Sequence, residues 1–405
     1  MSVLVQKYGG SSLAGVERLQ AVAARVGRSH ASNGRVVVVV SAMGDATDDL
    51  ISLAHQVDTD PPHREMDMLL STGETMTAPL LAMALHAIGV DAISLNGIQA
   101  GIRTSAAHRS ARIVDIVPQR IVDHLDAGRV VVVAGFQGAT ETLDITTLGR
   151  GGSDTTAVAL AVALGADECE INTDVAGIYT ADPRVVPDAI PMALVSYGEM
   201  LELASAGATV MHPRAVEIGE AYSMPIRVRS SFDDGPGTLI TRQEQMENRP
   251  KVHGIAHDVD VAKVTMMGVP DRPGIAAAVF VPLGEAGVNI DTIVQNVSHS
   301  GHTDLSFTLV GSQLERARPV LDAVAAAIGA AGWDADPDIA KVTVVGSGIL
   351  GTPGVCGRIF AALADEGINI RMISTGEMRV TCIIDKARTE DAVRAVHRAF
   401  ELERL

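Results

Sequence analysis

Short runs of β-branched and aliphatic residues recur through the first 230 positions, and most are followed by a stretch with helical spacing. The runs lie at residues 3–5, 35–41, 90–95, 130–135, 168–173 and 226–228, and Val36-Val37-Val38-Val39-Val40 is apolar without a break. A strand of that kind has no face to give to water and must be covered on both sides. Helical patterns between the runs supply the cover. Val16, Leu19, Val22 and Val26 recur at three- and four-residue intervals, and residues 155–164 are dominated by Ala, Val and Leu. Such alternation restricts this part of the chain to an α/β layer with a mostly parallel sheet. Aromatic residues are only 3% of the chain, so the core is aliphatic.

Open sheets of this kind bind ligands beyond the carboxyl ends of their strands. Polar or glycine residues stand at several of these ends: Lys7-Tyr8-Gly9-Gly10, Ser41-Ala42-Met43-Gly44, Gly135-Phe136-Gln137-Gly138 and Thr173-Asp174. The first domain is expected to span residues 1–240, with a polar linker at 241–251. An internal repeat follows. Lys263-Val264-Thr265 matches Lys341-Val342-Thr343 at an offset of 78, and Gly287-Val288-Asn289-Ile290 matches Gly367-Ile368-Asn369-Ile370 at 80. Copies at 263–337 and 341–405 each read as a small βαββαβ unit, which predicts paired sheets about a pseudo-two-fold axis. The second copy runs out after its helix, so residues 252–258 are expected to complete its sheet.

A net charge of −17 argues against nucleic acid and anionic membranes as partners. Cys169, Cys356 and Cys382 show no CxxC spacing and sit in apolar runs, as reduced thiols of a cytoplasmic protein do. No apolar run reaches 18 residues, and no basic-then-apolar leader opens the chain. The twelve histidines are scattered without HExxH or a Cys/His cluster. Gly346-Ser347-Gly348-Ile349-Leu350-Gly351 fits GxGxxG, but it stands in a repeat too small for a dinucleotide fold and reads as a loop insertion.

The chemistry concentrates elsewhere. Lys7 is the one lysine in the first 250 residues, at a strand-to-glycine-loop junction. A compact ammonium beside backbone amides suits a phosphoryl group better than a planar guanidinium. Thr147-Leu148-Gly149-Arg150-Gly151-Gly152-Ser153-Asp154 precedes an apolar helix, whose N-terminus would face an anion, with Ser153 or Asp154 as cap. Arg150 has the fork for a carboxylate. Ser41, Thr47 and Glu74 offer hydroxyls and a carboxylate to a substrate amino group, although each alone also serves as a helix cap. Glu74 is expected just before a helix, with Pro79 in its first turn. The segment from Thr173-Asp174 through Tyr179 to Arg184 is by itself a loop; beside two glycine loops it becomes a nucleotide candidate.

Together these segments closely resemble bacterial aspartate kinases of the amino-acid kinase family, above all the actinobacterial type with a C-terminal pair of ACT domains. The match also takes in His212-Pro213-Arg214 and the repeat, and covers nearly the whole chain in family order. The resemblance implies an αβα amino-acid kinase sandwich followed by two ferredoxin-like ACT units. It implies ATP-dependent phosphorylation of the β-carboxylate of L-aspartate to 4-phospho-L-aspartate, the first step towards lysine, threonine and methionine. Mg²⁺ would be carried by ATP, with no metal ligands from the chain. Carried over by position, Lys7 and Asp154 are catalytic. Ser41, Thr47, Glu74, Arg150, Gly151, Gly152 and Ser153 hold aspartate. Lys7, Gly9, Gly10, Thr173, Asp174, Tyr179, Asp182, Arg184 and Thr209 hold ATP.

Lysine and/or threonine would bind the ACT units at Asp271, Gly274, Asn289, Ile290, Asp291, Gln295 and Asn296. The assembly implied is a homo-oligomer, or an α/β hetero-oligomer with a regulatory chain started internally at Met246. One departure stands out: the family usually places lysine where this chain has Thr209, in Gly207-Ala208-Thr209-Val210. Either Arg214 or Arg184 compensates, or catalysis is weakened, or the chemistry has drifted. Two other readings therefore stay open on the sequence: a kinase of another small carboxylate, and a weakly catalytic amino-acid sensor.

Overall fold

The computed structural model describes residues 3–208, 210–242, 250–295, 301–349 and 351–405, in two compact units. The first unit opens with β1 (Leu4–Tyr8), α1 (Val16–Asn33), β2 (Val36–Val40), α2 (Ala46–Val57), α3 (His63–Ala87) and β3 (Ala92–Leu95). Next come β4 (Ile102–Thr104), β5 (Ile113–Ile116), α4 (Gln119–Asp126), β6 (Val130–Ala134), β7 (Gln137–Ala139) and β8 (Ile145–Thr147). It closes with α5 (Gly152–Leu164), β9 (Glu168–Thr173), β10 (Leu194–Ser196), α6 (Tyr197–Ser205), α7 (Pro213–Tyr222), β11 (Ile226–Ser230) and β12 (Thr238–Thr241).

Eight strands form one sheet in the order β10-β12-β11-β9-β1-β2-β6-β3, and only the β11–β12 pair is antiparallel. All six strands expected from the sequence lie in it. Val36, Val38 and Val40 of β2 pack with Leu19, Val22 and Val26 of α1 and Leu81 and Leu85 of α3. The intervening Val37 and Val39 are equally buried on the other face, where α5 lies. Strands β5, β4, β7 and β8 make a second, four-stranded sheet that the sequence did not announce. Runs of three or four residues are too short to display an alternation.

One expectation is corrected. α3 is a single helix of 25 residues with Pro79 inside it, and Glu74 lies in mid-helix instead of ahead of one. An interior proline costs about 3 kcal/mol. Burial of Leu81 and Leu85 alone contributes roughly 3–6 kcal/mol, and so keeps the helix continuous. The same burial accounts for a helix long and apolar enough to cross a bilayer, since half of its apolar stretch faces the core.

In the second unit the elements are β13 (Gly254–Pro270), α8 (Ile275–Glu285), β14 (Ile290–Gln295), β15 (His302–Val310), α9 (Leu314–Ile328) and β16 (Gly332–Val345), followed by α10 (Val355–Asp365), β17 (Met372–Thr375), β18 (Arg379–Asp385) and α11 (Thr389–Ala399). They form one antiparallel sheet ordered β14-β15-β13-β16-β18-β17, which reads alike from either edge as a tandem repeat requires. The two central strands serve both repeats. In β13, residues Lys263 to Met267 lie against Asp336 to Gly332, while Gly254 to Asp258 lie against Val345 to Lys341. Register shifts between Asp258 and Lys263 separate the halves. Segments Thr180–Ile190 and Ala206–Ala208 also belong to this unit.

Leu81→Ala removes a fully buried side chain from the face of α3 that carries Glu74 and should cost about 2–5 kcal/mol. Urea unfolding followed by circular dichroism is expected to show a lower midpoint with an unchanged slope.

Candidate active site

Lys7 is the penultimate residue of β1, and side-chain alternation decides where it points. Tyr8 turns into the core under α1, so Lys7 turns to the face covered by α5. Its Nζ lies 2.7 Å from Asp154 Oδ1 in the first turn of α5, and the two side chains are only 12% and 10% exposed. The pair is ionic and falls short of an aligned hydrogen bond. The expected cap on α5 is therefore corrected. Gly151 occupies the cap position at φ 67°, and no side chain caps the helix. Asp154 is committed to Lys7, and a Cβ on Gly151 would come within 2.3 Å of His212. Amides at an uncapped helix start, next to an ammonium, make a setting for a multiply charged anion.

The glycine loop before α1 fits the same purpose. A Cβ on Gly10 would stand 2.9 Å from Ala42 O, and Gly44 N donates to Gly10 O at 3.0 Å. The ends of β1 and β2 are thus locked together by backbone that only glycine allows so close. Gly9 N donates to Asn172 O of β9 at 3.3 Å, and Ser41 N to Tyr8 O at 3.1 Å. Thr47 sits half-buried in the first turn of α2.

Glu74 comes to this place because α3 passes close to the end of β2. A Cβ on Gly73 would meet Ala42 Cβ at 2.8 Å. Glu74 Oε1 accepts from Ala42 N at 3.1 Å, while Oε2 is buried with no partner. Burial pushes this carboxyl up to about 7 against the opposing pull of backbone hydrogen bonds. A buried, unpartnered carboxylate oxygen fits a ligand cation. Arg150 is exposed between Gly149 (φ 82°) and Gly151, and has no ion-pair partner among the described residues.

Sequence reasoning missed what steadies the Arg150 turn. Asp67 is wholly buried in α3 and accepts from Arg109 N at 3.0 Å and Thr147 Oγ1 at 2.6 Å, with His108 Nδ1 2.7 Å away. Gly149 lets the Arg109 carbonyl approach, with its hypothetical Cβ 3.0 Å away. A signal was available: Asp67 precedes Glu74 by seven residues, two turns up the same buried helix face. Arg214 was missed in this role too. Its guanidinium donates to the carbonyls of Leu148 (2.5 Å) and Ala111 (2.9 Å), holding the strand into the Arg150 turn.

Other candidates are dispersed. Thr173 Oγ1 donates to Asp174 Oδ1 at 3.1 Å at the end of β9. Tyr179 is half-buried and bridges Pro191 in the first unit. Asp182 and Arg184 belong to the second unit, where they pair with each other at 2.8 Å and the guanidinium holds the carboxyl below its usual value. Thr209 and Asn296 lie outside the described residues. The proposed effector residues divide. Asp271 and Gly274 follow β13 and share an end of the sheet with Gln295, while Asn289, Ile290 and Asp291 stand at the other end of β14, about 13 Å away along the strand. Asp291 Oδ2 accepts from Lys341 Nζ at 2.8 Å. Among the described residues no cluster of three His, Cys, Asp or Glu side chains could hold a metal. Gly346 of the GxGxxG segment makes room for Lys251 O, which a Cβ would approach to 2.0 Å.

Comparison with known proteins gives the same outline. A family model described as the amino acid kinase family matches residues 2–230, and ACT-domain models match residues 263–329 and 342–400. An aspartate kinase of Stutzerimonas stutzeri, Ask_LysC, is 51% identical over all of this chain and 98% of its own. The aspartokinase of Mycolicibacterium smegmatis is 49% identical over 99% and 97%. Pseudomonads and actinobacteria thus match alike, and the actinobacterial type is not singled out. Among solved structures, Escherichia coli aspartokinase III in complex with aspartate and ADP is 25% identical over 98% of this chain and 99% of its own, with a TM-score of 0.82.

The position of Glu74 makes a prediction about stability. The unfolded chain releases this proton near 4.5 and the folded protein near 7, so folding takes up a proton between those values. Stability is therefore highest below the lower value and falls by about 3 kcal/mol as pH rises to the upper one. Glu74→Gln should remove that slope. Urea unfolding of the ligand-free protein at pH 5 and pH 8 tests this, and an equal pH dependence in wild type and variant would contradict it.

Proposed function

The chain belongs to the aspartokinase family as an aspartate kinase regulated through ACT domains, and we propose how its residues divide that work. The reading rests chiefly on the buried Lys7–Asp154 pair at 2.7 Å beside the uncapped start of α5. Gly9, Gly10, Gly152 and the amides of Gly151 and Ser153 line a place for phosphoryl and carboxylate oxygens. Lys7 would neutralise charge that grows on the transferring group, and Asp154 holds the ammonium in position. Glu74 Oε2 takes the α-ammonium of aspartate, Arg150 grips its α-carboxylate, and Ser41 and Thr47 supply hydroxyls. The β-carboxylate oxygen then attacks the γ-phosphorus in line, and ADP departs. Thr173, Asp174, Tyr179, Asp182 and Arg184 are assigned to the nucleotide. Mg²⁺ would arrive with ATP and add its charge to that of Lys7.

The pH behaviour of Glu74 supports the same assignment. An ammonium binds the ionised carboxylate, so the Michaelis constant for aspartate should fall as pH rises towards about 7 and level off above it.

For regulation, a relative's structure is described as a complex with lysine and aspartate. We assign lysine or threonine to the ACT repeats here. The two clusters at opposite ends of β14 are too far apart for one small amino acid, so each site would be completed by a second copy of the chain.

Trapping with hydroxylamine in the presence of ATP and Mg²⁺ tests the reaction, with aspartyl hydroxamate as the expected product and glutamate inactive. Product from another acid alone would refute the substrate assignment. Lys7→Ala should lower turnover by about 10²–10³, as loss of one preorganised donor does. Lys7→Arg should recover little of it, because the fork cannot occupy the place of a compact ammonium.

A further inference from the structure

Thr180 is fully buried, and every polar atom it has is in use. Its N–H donates to Ile190 O at 3.0 Å, and its carbonyl accepts from Ile255 N of β13 at 2.8 Å. Its hydroxyl accepts from Ile190 N at 3.2 Å, which leaves the hydroxyl hydrogen for His397 Nε2, 3.0 Å away. His397 lies in α11 and is 1% exposed, and its Nδ1 faces Glu403 at 3.8 Å. That places the ring proton on Nδ1 and leaves Nε2 as the acceptor. Burial lowers the tendency of this ring to take a second proton.

One turn earlier on the same face of α11, Arg394 Nε donates to Val185 O at 2.8 Å, and its Nη2 pairs with Glu390 at 2.7 Å. One helix face of the second repeat therefore holds Thr180–Ile190 at two points. This segment is covalently continuous with Tyr179 and contains Asp182 and Arg184. α11 in turn packs on β13 and β16, the strands that both repeats share.

We propose that His397 and Arg394 are positioning residues for the nucleotide loop: acting through Thr180 and Val185, they let the second ACT repeat set how tightly ATP is held. The proposal rests on the reading that assigns Tyr179, Asp182 and Arg184 to ATP. A change in the shared strands then reaches the nucleotide without any effector contact at the kinase residues.

Steady-state kinetics on the full-length protein test this with Thr180→Val, His397→Ala, His397→Gln and Arg394→Met. Loss of one buried hydrogen bond should raise the Michaelis constant for ATP about tenfold in Thr180→Val and His397→Ala. Turnover at saturating ATP and the Michaelis constant for aspartate should stay within about twofold, a split that general loosening of the fold would not give. His397→Gln keeps an amide near the hydroxyl and should recover most of the loss. Arg394→Met acts from a less buried position and serves where a variant at 180 or 397 does not fold. Tyr179→Ala and Arg184→Ala test the loop separately. If these raise the ATP constant while the 180, 394 and 397 variants do not, the coupling is wrong and the loop assignment stands. If none of them moves it, the loop assignment fails and takes the proposal with it. Equal rises for both substrates, with a lower melting temperature, would also overturn it.

Discussion

A lysine and an aspartate held 2.7 Å apart, each about nine-tenths buried, are an expensive arrangement. Removing two charges from water costs more than their attraction reliably returns, so such a pair is poor evidence of a stabilising role. Much around it serves to keep it in place. Unbroken valine strands bury both faces of the sheet, which carries Lys7 to the end of β1 on the α5 side. Gly151 starts α5 without a capping side chain, which leaves Asp154 to the lysine. Gly10 and Gly73 let β1, β2 and α3 come within backbone distance of each other, and Glu74 arrives as a result. The cost is consistent with a site that must hold charge before its ligands arrive.

Much of this was legible in the sequence because it depends on local rules. Near-continuous apolar runs gave the parallel strands, and the offset repeat gave two βαββαβ copies. The glycine loops marked where backbone would approach an anion. What escaped depends on tertiary packing. Pro79 looked like a helix start because the local cost of proline is visible in sequence, while the burial of Leu81 and Leu85 that outweighs it is not. Asp154 looked like a cap because helix-start propensity cannot show a lysine arriving from another strand. Asp67 was legible in principle, seven residues before Glu74, but a carboxylate on an apolar helix face declares its partners only once Thr147 and the loop at Arg109 are in place.

The second unit shows how the repeat is joined. Two independent copies would each need an extra edge strand. Here β13 and β16 run through both halves, with register shifts at the crossover. Any displacement along these strands is shared by both repeats. Lys341 of β16 ties its ammonium to Asp291 of the first repeat at 2.8 Å, so the second copy also reaches the first through a side chain. An effector seen by one repeat therefore has short physical routes to the other.

Thr209 remains the clearest departure from the family, and the structure narrows what can make up for it. Arg214 cannot stand in for the missing lysine, because both of its terminal nitrogens bind the carbonyls of Leu148 and Ala111. Releasing it would free the turn that presents Arg150. Arg184 is paired with Asp182. Arg214 is thus committed to structural partners, while Arg184, paired but with its side chain 86% exposed, keeps the nucleotide role assigned to it above. Charge on a transferring phosphoryl group would then be met by Lys7, by the amides at the start of α5, and by the metal ion that a nucleotide brings with it. The amides of α5 are fixed at the helix start and need no reorganisation when charge develops. On that argument the loss of a positive charge at position 209 is compatible with turnover, because Lys7, the α5 amides and the metal ion meet the developing charge without it.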